Sequence, residues 1–157
     1  MNLEIEHKYL LKNDSYHSMA VDKYHIIQGY LSRDKELTIR IRIKDDTAFL
    51  TIKTHNKGDA RNEFEYPIPQ HDAYLLIEKC QPPVLEKERY IVPYKGFVWE
   101  IDEFKRELSG ITLAEIELPS SDTHYDIPAF IGQNVTGDPR YYNSNIHLLA
   151  KENSTQL

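Results

Sequence analysis

One cysteine, Cys80, stands in a chain of 157 residues, so no intrachain disulfide can brace the fold. The thiol count leaves the redox compartment open and is compatible with the cytoplasm. Long hydrophobic runs are missing too. No stretch approaches about 18 apolar residues, which excludes a membrane-spanning helix. The first residues carry charge from Glu4 onward with no apolar core, so no secretory signal is expected there. Positive charge is not in excess: 19 Lys and Arg stand against 25 Asp and Glu, a formal net charge of −6. Taken as a bare sum, this disfavours nucleic acid or any other polyanion as a ligand. The length suits one domain, expected over residues 1–150 with a frayed tail at 151–157. A hydrophobic fraction of 40% marks the chain as globular rather than disordered.

What is present is a period of two. Apolar and polar residues alternate over 3–11, 24–31, 37–43, 48–53, 61–68, 84–92, 97–104 and 111–118. Eight such runs, rich in β-branched and aromatic residues, predict eight strands. Their short joints carry turn chemistry, as in Asp45-Asp46, Lys95-Gly96 and Ser109-Gly110, which favours antiparallel hairpins. Three segments break the period. Residues 13–20 have room for one or two helical turns. In 70–80, Ala73, Leu76, Ile77 and Cys80 recur at helical spacing, with Pro82-Pro83 expected to stop the helix. A short helix is expected within 122–131, and 136–149 reads as irregular.

The polar positions of these runs are selected for charge, in same-face pairs at i and i+2. They are Glu4, Glu6 and Lys8; Arg40 and Arg42; Lys53; Arg61, Glu63 and Glu65; Lys87 and Arg89; Glu100 and Asp102; Glu115 and Glu117. Seven of the eight runs contribute. Intervening residues such as Ile5, Ile39, Ile41, Ile52, Phe64, Ile101 and Ile116 form the opposite, apolar face. Ordinary solvated strand faces also carry charge, but like-charged neighbours repel, and a sheet gains from them only if something neutralises them. Divalent cations fit the carboxylates and a bound polyanion fits the bases. If the sheet closes, the charged face lines an interior able to hold a small ligand. The apolar exterior then needs covering by 70–80 and the C-terminal region.

Several blocks in order resemble a known family. Glu4-x-Glu6-x-Lys8 is similar to the ExExK signature of the CYTH superfamily, the triphosphate tunnel metalloenzymes. Gln28-Gly29-Tyr30-Leu31, Arg40-x-Arg42, Lys53, Arg61-x-Glu63-x-Glu65, Lys87-x-Arg89, Glu100-Ile101-Asp102 and Glu115-Ile116-Glu117 follow the family's strand order. Gly137-Asp138, Tyr141 and Asn143 resemble the C-terminal block of its compact bacterial members. The resemblance implies a mainly β fold, a closed eight-stranded antiparallel barrel with a few short helices outside, binding a small-molecule triphosphate with Mg²⁺ or Mn²⁺. It implies metal-dependent hydrolysis of inorganic triphosphate, with weaker activity on nucleotides. The alternatives are a nucleotide- or thiamine-triphosphate-processing enzyme, a cyclase included, and a non-catalytic polyphosphate binder.

On that reading Lys8, Arg40, Arg42, Lys53, Arg61, Lys87 and Arg89 form the phosphate cradle, because guanidinium and ammonium groups match phosphate oxygens. Glu63, Glu65, Asp102, Glu115 and Glu117 are the expected metal ligands, since hard cations take oxygen donors. Glu4 and Glu6 hold a second metal or orient the attacking water, and with Lys8 form the expected catalytic group. Glu100 balances a base. No Ser or Cys nucleophile is required, and the seven histidines show no metal-ligand spacing. Tyr141 and Asn143 are placed at one tunnel mouth. Neither nucleic acid nor a membrane is an expected partner. Exposed outer strand faces are compatible with a homodimer.

Overall fold

Left-handed backbone sets the tightest joints. Lys95 and Gly96 both have positive φ (45° and 85°), the conformation of a two-residue turn whose twist matches paired strands. Asp45 (φ 52°) does the same work in the Asp45-Asp46 turn, as aspartate tolerates this region. The structure, a computed structural model, describes residues 2–149. The tail expected at 151–157 lies outside the described residues.

The strands are β1 (Leu3–Leu11), β2 (Asp22–Asp34), β3 (Leu37–Lys44), β4 (Thr47–Thr54), β5 (Ala60–Pro67), β6 (Gln81–Tyr94), β7 (Phe97–Phe104), β8 (Thr112–Glu117) and β9 (Ile131–Asn134). The α-helix α1 (Gln70–Ile77) lies between β5 and β6, residues 147–149 are also helical, and 3₁₀ turns occupy Ser15–Ser18, Arg106–Leu108 and Pro139–Tyr141. No helix among the described residues is long and apolar enough to cross a membrane.

All eight expected strands form and pair antiparallel in the order β5-β4-β3-β2-β6-β7-β8-β1, and β5 pairs with β1 to close the barrel. Closure is narrow. Among the described residues β1 pairs with β5 at Leu3↔Asn62, Glu4↔Arg61 and Ile5↔Ala60, with the Glu63 amide donating to the Asn2 carbonyl (2.6 Å) beyond them. Farther along, β9 takes over this edge of β1, at Tyr9↔Asn134 and Leu11↔Ile131. Between the two, the Lys8 amide donates to Thr136 Oγ1 (2.9 Å) and the Val135 amide donates to the Lys8 carbonyl (2.8 Å).

Two apolar layers cover the outside. Ile5, Tyr9, Trp99, Ile101, Ala114 and Ile116 pack under Tyr16, Phe130 and Ile131. Ile41, Ile43 and Ala48 pack under α1 through Ala73, with Leu76, Ile77 and Cys80 beside it. A third cluster (Tyr30, Leu85, Phe104, Leu113) has the interior parity and is covered by Ile146 and Tyr141, so an apolar plug from the C-terminal segment fills one end of the barrel.

Two expectations fail. The 122–131 segment forms no helix; it runs irregularly over the β1–β7–β8 surface and ends in β9, because Tyr125, Phe130 and Ile131 are spaced to meet that surface rather than one helix face. Pro82-Pro83 does not stop α1, which ends at Ile77. Both prolines lie at the start of β6, where the pairing with β2 shifts between Gln28 and Tyr30 and the ladder needs no donor from them.

Candidate active site

Side-chain parity sends the charged faces of seven strands into one interior. A cavity of about 230 Å³ is lined by every predicted site residue except Lys87 and Asp102, with Glu100, Lys44, Phe49 and Asn143 added. Next to Arg61 it meets a wider outer cavity of about 790 Å³.

Most of the bases are already paired. Lys53 Nζ contacts Glu4 and Glu63, both at 3.1 Å, and Arg61 Nε lies 3.7 Å from Glu4. Lys8 Nζ donates to the Tyr141 carbonyl (2.9 Å) and lies 3.5 Å from Glu115. Burial alone would lower the Lys8 pKa; Glu115 and then Glu6 outweigh it and raise it. The Glu115 carboxyl is held well below the usual range, because Lys8, Arg89 and Lys87 overcome its burial. Arg40 is less complete. Its Nη2 donates to Thr51 Oγ1 (3.3 Å) and lies 3.7 Å from Glu65, while its buried Nε has no hydrogen-bond partner among the described residues.

Lys87 and Asp102 sit behind the cavity wall, at 0% and 1% exposure. Arg89 forks onto Asp102 through Nε (2.7 Å) and Nη2 (2.9 Å), and Lys87 Nζ meets the same carboxylate at 2.7 Å. Asp102 was expected among the metal ligands; its oxygens are instead spent on two bases. Burial would raise the Asp102 pKa, but Arg89 and Lys87 bring it down to about 2. Burial pushes Lys87 down to about 7 despite Asp102. The outermost expectation, Glu100, does balance a base, lying 3.3 Å from Arg89 Nη1.

Among the described residues, two groups of predicted site residues lack an oppositely charged partner. One is Arg42, pushed down to about 9 by burial and by Arg40 and Arg89, and without an ion pair among the described residues. The other is acidic. Glu6 of β1 opposes Glu117 of β8 in register, and neither makes an ion pair among the described residues. Burial first, then Glu115 and Glu4, push Glu6 up to about 8. Burial with Glu4 and Glu63 also raises Glu117. Among the described residues no three His, Cys, Asp or Glu side chains converge as a formed metal centre. Glu6, half-buried, and Glu117, exposed, offer only oxygen donors and lack a cationic partner among the described residues, and Glu4 lies beside them, paired with Lys53; oxygen donors of this kind suit a hard divalent cation.

Charge counting misses Gln28, an interior residue of β2, which alone of the eight predicted strands contributes no residue to the charged set. Gln28 is fully buried. Its parity with Tyr30 is the one signal in the sequence; its position opposite Arg42 is set by strand register. Thr51, two residues before Lys53, is missed likewise. Asn143 reaches into the interior, where its Oδ1 accepts from Lys87 Nζ (2.8 Å); Tyr141 offers its carbonyl to Lys8. His7 points outward as expected and bonds to Tyr125 (2.6 Å) and Asp59 (2.8 Å). Cys80 lies outside the barrel beside α1, its thiol pushed up by burial.

A closed antiparallel barrel whose interior is packed with paired acids and bases defines a polyanion-binding tunnel. The CYTH domain model matches residues 2–142, and the chain belongs to the CYTH family. It is 44% identical over 147 residues, 93% of this chain and 94% of the relative, to an inorganic triphosphatase of Acetivibrio thermocellus. It is 30% identical over 149 residues, 92% and 97% of the two chains, to an inorganic triphosphatase of Nitrosomonas europaea. A crystal structure of an inorganic triphosphatase superposes with a TM-score of 0.66 at 28% identity, covering 92% of this chain and 94% of that one.

Proposed function

We propose that this protein hydrolyses inorganic triphosphate to orthophosphate and pyrophosphate, with Mg²⁺ or Mn²⁺ as the required ion. The observation that carries this reading is the separation inside one cavity of groups short of a partner among the described residues: Arg42, without an ion pair, and the unbonded Nε of Arg40 on β3, and Glu6 and Glu117, without a cation, on β1 and β8. A triphosphate with its metal has the complementary arrangement, an anionic chain carrying a cation. The similarity to two inorganic triphosphatases over nearly the whole chain supports it.

Arg40, Arg42 and Arg89 hold phosphate oxygens, for which the guanidinium fork is suited. Lys8, Lys53 and Arg61 extend the cradle. Phosphate oxygens bound to Lys53, Arg40 and Lys8 would leave Glu63, Glu65 and Glu115 as the residues that would hold a second cation. Glu6 and Glu117, with Glu4 beside them, would hold the first, which when bound supplies positive charge to the phosphate oxygens. Glu4 and Glu6 orient the attacking water and accept its proton at a carboxylate oxygen. Lys8, kept charged by Glu115 and Glu6, stabilises the charge that develops as the P–O bond breaks. Asp102, itself contacted by Lys87, holds Arg89 in place from behind the wall.

The test is phosphate release from tripolyphosphate with Mg²⁺ or Mn²⁺, with and without chelator, beside ATP and thiamine triphosphate. Tripolyphosphate is expected to be the preferred substrate, and Arg40→Ala or Glu6→Gln is expected to lower kcat by about 100-fold with the fold intact. Absence of phosphate release with either metal would remove the reading.

A further inference from the structure

Arg42 is the one base of the predicted cradle that lacks a carboxylate partner among the described residues, and what it has instead is an amide. Gln28 Oε1 accepts from Arg42 Nε (2.9 Å) and from Nη2 (2.8 Å). On the other side Gln28 Nε2 donates to Asn143 Oδ1 (3.2 Å), which also accepts from Lys87 Nζ (2.8 Å). The amide orientations are forced, because arginine and lysine only donate. The result is a neutral bridge between the half-buried Arg42 and the fully buried Lys87. It fixes the direction of each and cancels the charge of neither.

This differs from every neighbouring pair. Arg89 is fixed in the same two-pronged way, but by Asp102, which neutralises it. A glutamate at position 28 would be equally well placed opposite Arg42. We infer that Gln28, steered by Asn143, is a positioning and affinity-determining residue: it aims Arg42 into the tunnel while leaving its full positive charge for a substrate phosphate. The inference rests on the triphosphatase reading and adds how the cradle keeps an unspent charge. The tuning follows from Coulomb attraction in a buried site, where a carboxylate in place of the amide competes directly with the phosphate.

Gln28→Glu tests the idea because structural and functional roles predict opposite results. The introduced carboxylate pairs with Arg42, so the melting temperature should hold or rise. The KM for tripolyphosphate should increase tenfold or more, with a smaller change in kcat. Gln28→Met, similar in size but without the amide, should lower the melting temperature and weaken binding less than Gln28→Glu does. Equal KM for Gln28→Glu and wild type would overturn the inference. So would loss of affinity in strict proportion to loss of stability across both variants. Calorimetric titration of tripolyphosphate in chelator compares the variants' affinities for the metal-free ligand without turnover. An inactive wild type that still binds tripolyphosphate, with binding weakened in Gln28→Glu, would therefore reject the hydrolytic reading and keep the inference.

Discussion

Glu103 sits on the outer face of β7, where the Tyr16 hydroxyl and the His17 ring both meet its carboxylate. Burial would raise its pKa; the bonds from Tyr16 and His17, with Lys105 nearby, outweigh this and lower it. A carboxyl whose pKa is lower in the folded state adds stability above its unfolded value, and that stability fades as pH falls through the folded value. Glu103→Gln should therefore cost about 1–2 kcal/mol near pH 7. The difference from wild type should shrink toward zero as pH falls below about 4. Urea unfolding at the two pH values measures both; a pH-independent difference would mean the charge is not what matters. Inside the barrel, strand parity alone marked twelve of the fourteen predicted side chains as cavity-lining. It could not mark Lys87 and Asp102 as set back behind the wall, since depth along a strand depends on where the apolar plug ends. It also could not mark Gln28, because a neutral side chain among alternating residues carries no charge signal.

The strands were legible because alternation persists over seven or more residues in most of them, and α1 because its apolar residues recur at helical spacing. β9 was not. It is four residues long, contains Gly132, and exists only because β1 offers it an edge. A Cβ at Gly132 would lie 3.1 Å from the Leu10 carbonyl oxygen, so close backbone approach explains the glycine. Gly29 of β2 has a similar role under α1. A Cβ there would lie 2.8 Å from both Cβ and Sγ of Cys80. Gly29→Ala should cost about 1–3 kcal/mol by overpacking. Removing only the thiol with Cys80→Ala should rescue little, because Cβ remains; Cys80→Gly should restore part of the loss. Chemical denaturation of the single and double variants decides this.

At the scale of the whole molecule, the barrel is closed by three residue pairs between β1 and β5 and then by the C-terminal segment. Outside this seam, Asp59 accepts from Ser121 Oγ (2.7 Å) and contacts His7 Nε2 (2.8 Å), while its carbonyl accepts the Glu6 amide (3.2 Å). One loop residue thus ties the β5 side to β1 and to the segment that follows β8. Asp59→Ala should speed amide hydrogen exchange at Ile5, Ala60 and Asn62 by about tenfold, through easier local opening. Exchange in the β2–β3 hairpin should stay unchanged. A uniform increase across all strands would show that the residue supports global stability and not the seam.

The sequence by itself determined which face of each strand carries charge and, through short joints, that the strands pair antiparallel. Both follow from the strict period of a pleated chain and the reach of a few residues. Tertiary structure alone decided which charges are neutralised. Glu6 and Lys8 are two residues apart and share a face, yet Lys8 lies against Glu115 while Glu6 faces Glu117. Pairing across a closed barrel depends on register and on what the C-terminal segment inserts. Electrostatic energy depends on distance and burial, and neither is written in the order of residues along one strand.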